Sequence, residues 1–168
     1  MEWLYKYSIT IKGCEKRLMI QKLQHKDIAI SEKIRSVFQA SYAVEAILLN
    51  AVDFPPLKRK LDAFIECDNL FWGFILNDEL AGVIEIDKNS TGVHIQSLVV
   101  NPNFFRQGIG RKLTEFILNS FDTKLFTVET GVKNEPATKL YKKLGFVEVN
   151  QWNTDHGIRK IGFELKTC

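Results

Sequence analysis

Apolar and polar residues alternate at the start of the chain. Trp3, Tyr5, Tyr7, Ile9 and Ile11 fall on one side of residues 3–12, and Leu4, Lys6, Ser8, Thr10 and Lys12 fall on the other. A period of two rich in aromatic and β-branched residues predicts a strand, which Gly13 ends. Leu18 to Leu23 is a second short strand before the polar His25-Lys26-Asp27. The domain proper is expected to begin at Met19, with residues 1–18 as an N-terminal extension that has room for an extra strand. From Ser31 the spacing becomes helical. Ile34, Val37, Phe38 and Ser41 share a face opposite Glu32, Lys33, Arg35 and Ser36, which predicts a helix to Ala43 or beyond. Residues 44–54 stay apolar until Pro55-Pro56, which no helix interior accommodates. A second helix with Leu57, Leu61, Phe64 and Ile65 on its apolar face is expected to end near Glu66.

An antiparallel meander follows: Leu70 to Leu76, a turn at Asn77-Asp78-Glu79, Leu80 to Ile86, a loop from Lys88 to Gly92, and Val93 to Val100. Helices and strands alternate from there. Ile109, Leu113, Phe116 and Ile117 form a helical stripe, Leu125 to Thr130 a strand, and Ala137, Leu140, Tyr141 and Leu144 another helical stripe. Phe146 to Val149 and Ile158 to Leu165 close the chain as strands. This order predicts an α/β (α+β) fold, a mixed sheet with helices on its faces.

Composition narrows the class. The chain has 168 residues, 45% hydrophobic and 26% charged, which fits one globular domain with room for a core and argues against disorder, collagen and coiled coil. The net charge is +3, yet residues 1–26 alone carry +4 and the remainder −1. With no basic stripe and no interleaved aromatics, no nucleic-acid partner is expected. Cys14, Cys67 and Cys168 are odd in number and match neither CxxC nor a Cys/His metal spacing, so free thiols and no metal are expected. Neither a signal peptide nor a bilayer-length apolar run is present, so the reading is a soluble cytoplasmic protein with no membrane partner.

Chemistry concentrates in Val99-Val100-Asn101-Pro102-Asn103-Phe104-Phe105-Arg106-Gln107-Gly108-Ile109-Gly110-Arg111-Lys112-Leu113. A strand turns into a helix through two glycines one residue apart. Missing Cβ atoms let a phosphate approach the backbone, and the unpaired amides of a helix's first turn point at it. Arg106 and Arg111 add positive charge. By itself this Gly-x-Gly reads equally well as a tight turn that binds nothing. It lacks both the P-loop Lys-Ser/Thr and the dinucleotide fingerprint. A second segment, Asn134-Glu135-Pro136-Ala137-Thr138-Lys139-Leu140-Tyr141-Lys142-Lys143-Leu144-Gly145-Phe146, has a proline near a helix start and a glycine where a left-handed C-cap belongs.

Together the two segments resemble the GNAT superfamily of N-acetyltransferases. That family carries Gln/Arg-x-x-Gly-x-Gly/Ala, followed by Asn-x-x-Ala-x-x-Leu-Tyr-x-x-x-Gly-Phe. The resemblance runs from about Leu80 to Phe146, is looser over the N-terminal helices, and does not cover residues 1–18. It implies a mixed, mostly antiparallel seven-stranded sheet with helices on both faces and a splayed parallel strand pair, residues 19–168 forming the domain. It implies acetyl-CoA as cosubstrate, with Phe105, Arg106, Gln107, Gly108, Ile109 and Gly110 on the pyrophosphate, largely through main-chain amides, and Arg111 nearby. Phe105 departs from the family's usual Gln or Arg.

By the same resemblance Leu98 and Val100 present main-chain groups to the pantetheine arm, and Asn134 contacts the cofactor or caps its helix. Tyr141 occupies the position of the acid that protonates the departing thiolate, or else packs on the sheet. His94 and Glu85 are alternative bases for the amine. Phe54, Pro55, Pro56, Phe71, Trp72 and Trp152 are candidate pocket residues. The implied reaction is direct attack on acetyl-CoA by a small-molecule or peptide amine, with a homodimer compatible. A non-catalytic acyl-CoA-binding or protein-interaction module on the same fold is the alternative.

Overall fold

Alternating segments become strands and 3.6-spaced segments become helices. The computed structural model describes residues 5–11 and 14–167, with side chains from Arg17 onward. In chain order the elements are β1 (Tyr5–Ile11), β2 (Cys14–Leu23), α1 (Ile28–Leu49), α2 (Leu61–Ile65), β3 (Leu70–Leu76), β4 (Glu79–Lys88), β5 (Val93–Val100), α3 (Ile109–Ser120), β6 (Leu125–Gly131), α4 (Glu135–Lys143), β7 (Val147–Asn153) and β8 (Arg159–Lys166). Two short 3-10 turns cover Pro55–Lys58 and Pro102–Phe104. Trp3, Leu4, Lys12 and Gly13 of the expected first strand, and Cys168, lie outside the described residues, as does the side chain of Cys14.

One sheet takes the order β1-β2-β3-β4-β5-β6-β8-β7. Strands β2 to β8 are the seven expected, and β1 adds an eighth at the edge, with Tyr5 opposite Ile20 and Ile11 opposite Cys14. β2 runs without interruption through residue 18, so the boundary expected there falls inside a strand. Every neighbouring pair is antiparallel except β5 and β6.

α1 begins three residues before the pattern predicts, because the Asp27 side chain accepts the Ile30 amide at 3.0 Å and caps the helix. It continues through the apolar residues 44–49 and stops where Asn50 turns left-handed, at φ 53°. The expected second helix is split. Pro55 and Pro56 fit the start of a 3-10 turn, Arg59 and Lys60 are extended, and only Leu61–Ile65 is α-helical. Helices cover both faces of the sheet. On one, Ile34, Val37 and Phe38 of α1 and Phe64 of α2 pack on Phe71, Val83 and Val99. On the other, Ile109, Leu113 and Ile117 of α3 and Tyr141 of α4 pack with Ile84, Ile95, Phe126 and Val128. Fully burying one such side chain stabilises by roughly 1.5–3 kcal/mol, so packing more than helix propensity fixes these helices.

The feature that positions the site is a split in the sheet. β5 and β6 pair only at Val93–Phe126, His94–Thr127 and Ile95–Val128. On the other side of β5 the register with β4 shifts, with Glu85 opposite Ser97 but Ile86 opposite Ile95, which leaves Gln96 as an extra residue. A bulge bends its strand, and past it the two parallel strands are no longer paired.

Candidate active site

The split opens a cleft of about 650 Å³. Residues 95–98 of β5 and 128–131 of β6 form its edges, Tyr42, Glu45 and Leu49 of α1 one wall, and Ala137 and Tyr141 of α4 another. Phe54, Pro55, Pro56 and the turn between β7 and β8 contribute further lining, as do Phe38, Arg59, Asn134 and Lys160.

The glycine-containing loop neighbours the cleft through Gly110, which packs against Leu98 of the lining. The backbone turns left-handed at Arg106 (φ 61°) and again at Gly108 (φ 74°), the residue that caps α3. Glycine is needed there for its φ, and a Cβ would meet nothing within 4 Å, so the loop's outer surface is open. The first helical bond runs from the Lys112 amide to the Gly108 carbonyl at 3.0 Å. The amides of Ile109, Gly110 and Arg111 therefore lie ahead of the ladder, an arrangement suited to an anion. Gly110 is different: its Cβ would rest at 3.6 Å from Leu98 and Leu140 and 4.0 Å from Val100, ordinary contact distances. Phe105 is 41% exposed. Gln107 and Arg106 are exposed, and Arg111 pairs with Glu115 at 2.7 Å on the surface of α3. The Val100 amide donates to Ser41 Oγ of α1 at 3.4 Å.

α4 carries Tyr141 to the cleft. Asn134 caps the helix by accepting the Ala137 amide at 3.3 Å, Pro136 lies in the first turn, and Gly145 follows the helix at φ 90°. Tyr141 packs edge-on to Phe146 with ring centres 5.6 Å apart and tilted against Phe163 at 6.0 Å. Burial pushes its phenol above the ordinary range, and the Glu45 charge and Tyr42 push it further. Across the cleft, Tyr42 donates to Ser97 Oγ at 3.0 Å and meets Phe54 edge-on at 5.7 Å. Its phenol is also raised, chiefly by burial and then by Glu45. Burial raises the Glu45 carboxyl, while the Asn134 side chain and the Lys160 ammonium act in the opposite direction.

The two candidate bases stand elsewhere. His94 Nδ1 lies 2.8 Å from Thr127 Oγ1, at the paired end of β5 and β6 and outside the cleft lining. Burial lowers its pKa, although Glu129 and Asp87 pull upward. Glu85 is fully buried, and its carboxylate accepts from Arg59 Nη1 at 2.7 Å, Arg59 Nη2 at 3.0 Å and Asn69 Nδ2 at 2.7 Å. The Arg59 guanidinium also covers the Phe64 ring at 3.9 Å. Both oxygens of this carboxylate are occupied, and it has a structural partner in Arg59.

Of the candidate pocket residues, Phe54, Pro55, Pro56 and Trp152 line the cleft, whereas Phe71 and Trp72 do not. Phe71 is buried beneath α1 and α2, and Trp72 packs edge-on to Phe121 on the opposite face at 5.6 Å. Four lining residues escape a motif search: Tyr42, Glu45, Glu129 and Lys160. Glu45 had a readable signal. Phe38, Tyr42, Glu45 and Leu49 recur at i, i+4, i+7 and i+11, so an acid interrupts the apolar stripe of α1. Lys160 bonds to Glu129 across β8 and β6.

A mixed sheet split between parallel strands, with a left-handed loop feeding the helix beside the split and a tyrosine helix closing the cleft, defines the acetyltransferase class of this architecture. The profile of the acetyltransferase (GNAT) domain matches residues 41–167, and the chain belongs to that family. It is 33% identical over 148 residues to the UPF0157 protein YqkA of Bacillus subtilis, an alignment that takes in 88% of this chain and 43% of that protein. The chain thus spans less than half the length of this curated relative. Among solved structures it resembles the ribosomal-protein-S18-alanine N-acetyltransferase of Escherichia coli (TM-score 0.71, 20% identity, 89% of this chain and 93% of that one). It also resembles the PaiA N-acetyltransferase of Thermoplasma acidophilum, solved with coenzyme A (TM-score 0.69, 18% identity, 89% and 99%). YncA of Salmonella typhimurium, solved with acetyl-CoA, is similar at the same TM-score (0.69, 18% identity, 89% and 93%). At these identities the structural likeness speaks to fold. No helix among the described residues is long and apolar enough to cross a membrane.

Proposed function

We propose that the protein is an acetyl-CoA-dependent N-acetyltransferase that moves the acetyl group to a primary amine of a small molecule or peptide terminus by direct attack. The observation that carries this reading is the unpaired stretch of β5 and β6, which opens a cleft with Tyr141 in its wall and, on its edge, Leu98, against which Gly110 of the glycine loop packs. Family membership supports it, as do the coenzyme A and acetyl-CoA in the PaiA and YncA structures.

In this reading the amides from Phe105 to Gly110 hold the pyrophosphate, Arg106 and Arg111 lend charge, and main-chain groups of Leu98 and Val100 face the pantetheine arm. Asn134 keeps α4, and so Tyr141, in position through its cap. Amides near Val100 polarise the thioester carbonyl as its oxygen gains charge. Tyr141 hydrogen-bonds the sulfur and passes its proton as the carbon–sulfur bond breaks. With its phenol raised by burial, it holds that proton until negative charge reaches the sulfur. His94, bonded to Thr127, and Glu85, bonded to Arg59, are poorly placed to deprotonate the amine, so a group inside the cleft is the better base.

Two measurements test the proposal. A thermal shift on adding acetyl-CoA reads binding, and thiol release against a panel of primary amines reads turnover. Saturable release that depends on the amine is expected. Stabilisation by acetyl-CoA without release for any amine would point instead to an acyl-CoA-binding module.

A further inference from the structure

The acceptor side of the cleft holds one half-buried acid that lacks a cation of its own. Five charged side chains line the cleft: Glu45, Glu129, Asp155, Arg59 and Lys160. Arg59 is committed to Glu85 and to the Phe64 ring, and Lys160 is bonded to Glu129. Asp155 is exposed beside His156 on the turn between β7 and β8, where solvent screens its charge. Glu45 is the remainder. Among the described residues it forms no ion pair, and it stands near enough to Tyr141 for its charge to be felt there. Around it the wall is apolar and aromatic, with Tyr42, Leu49, Phe54, Pro55 and Trp152.

Granted the acetyl transfer proposed above, we infer that the acceptor is a singly charged primary amine on an uncharged apolar or aromatic body, and that Glu45 receives its ammonium group. The ammonium gives one proton to the Glu45 carboxylate, which returns it to solvent. The freed nitrogen lone pair bonds to the thioester carbon, and the electron pair of the breaking carbon–sulfur bond leaves on sulfur, which takes the Tyr141 proton. The surplus proton on the new amide nitrogen restores Tyr141 through water in the cleft, so one proton is released per acetyl transferred. An acceptor with its own carboxylate would bring like charge toward Glu45, and a polyamine would press a second ammonium against apolar walls.

The test compares phenethylamine, β-alanine and spermidine by kcat/KM, with calorimetry of phenethylamine on the coenzyme A-loaded protein. Phenethylamine should lead both others by about tenfold or more. Glu45→Gln should raise its KM and Kd roughly tenfold to hundredfold, the worth of one charge-assisted hydrogen bond. Acetyl-CoA affinity should stay unchanged, which doubles as the check that the variant folds. Equal or better use of β-alanine or spermidine by the unaltered protein, wild-type KM in Glu45→Gln, or no saturable binding of phenethylamine would each overturn the inference. Thiol release that favours β-alanine would do so while leaving the transferase reading intact. Tight, Glu45-dependent binding of phenethylamine without thiol release would remove the transferase reading and keep the recognition.

Discussion

Two glutamates on the α1 side of the sheet, Glu85 fully buried and Glu45 half-buried, are treated in opposite ways. Glu85 sits under α1 and α2 with a guanidinium, an amide and an aromatic ring arranged around it. Glu45, lining the cleft, has burial acting on it with only partial relief from Asn134 and Lys160. Compensated charge serves folding, because removing its partner leaves an ion in a dry place. Charge left short of a partner is a cost to the fold that a ligand can remove. The same contrast separates the two glycines of the loop: Gly108 faces open space with a left-handed backbone, and Gly110 faces packed side chains.

The largest effect should come from the open glycine. Gly108→Trp fills the approach to the first-turn amides and should take acetyl-CoA binding below detection by calorimetry. Gly110→Ala, whose methyl finds ordinary contact distances, should bind within a few-fold of wild type. Wild-type affinity in Gly108→Trp would remove the loop from the cofactor site. Next, Arg59→Ala strands the Glu85 charge and should lower the urea-unfolding free energy by about 3–5 kcal/mol. By contrast Glu45→Gln, which removes a charge already short of a partner, should leave stability unchanged or raised. Equal losses in the two variants would erase the distinction between the glutamates.

Tyr141→Phe should then lower kcat by about a hundredfold with acetyl-CoA affinity intact, since the ring packing stays and only the proton goes. Unchanged kcat would make Tyr141 a packing residue. The smallest effect concerns His94. Burial holds its folded pKa below the ordinary value, so the unfolded chain protonates first as pH falls through about 6.5. The resulting stability is complete above that pH and declines toward the folded pKa. Between pH 7.5 and 5.5, His94→Gln should therefore lose less of its urea midpoint than the wild type. An equal or larger loss would contradict a structural role for this histidine.

Most of the sheet and its helices were legible because each depends on local periodicity and on turn residues. The loop was legible for a stricter reason: a left-handed backbone at Gly108 and a capped, proline-started helix carrying Tyr141 restrict the residue types at fixed spacings. The acceptor side depends on distance instead. Glu45 comes within electrostatic reach of Asn134 and Lys160, roughly ninety and more than a hundred residues away in sequence, only because α1 lies across the split, and no local pattern records that proximity. Its one local trace was an acid within an apolar helical stripe. For Glu85, alternation within β4 showed an acid between two isoleucines, but Arg59 on a non-helical connection could not be paired with it in advance. Trp72 and Phe71 illustrate the same limit, since aromatic content names a core or a pocket equally well until the faces of the sheet are known.

The central claim is that the split between β5 and β6 joins a thioester to an amine. The direct measurement incubates the protein with acetyl-CoA and phenethylamine and counts free thiol and N-acetylated amine in the same sample by absorbance and mass spectrometry. The account predicts one acetylated amine for each thiol released, saturating in both substrates and lost in Gly108→Trp. Thiol release with no acetylated amine, or acetylation that persists unchanged in Gly108→Trp, would contradict it.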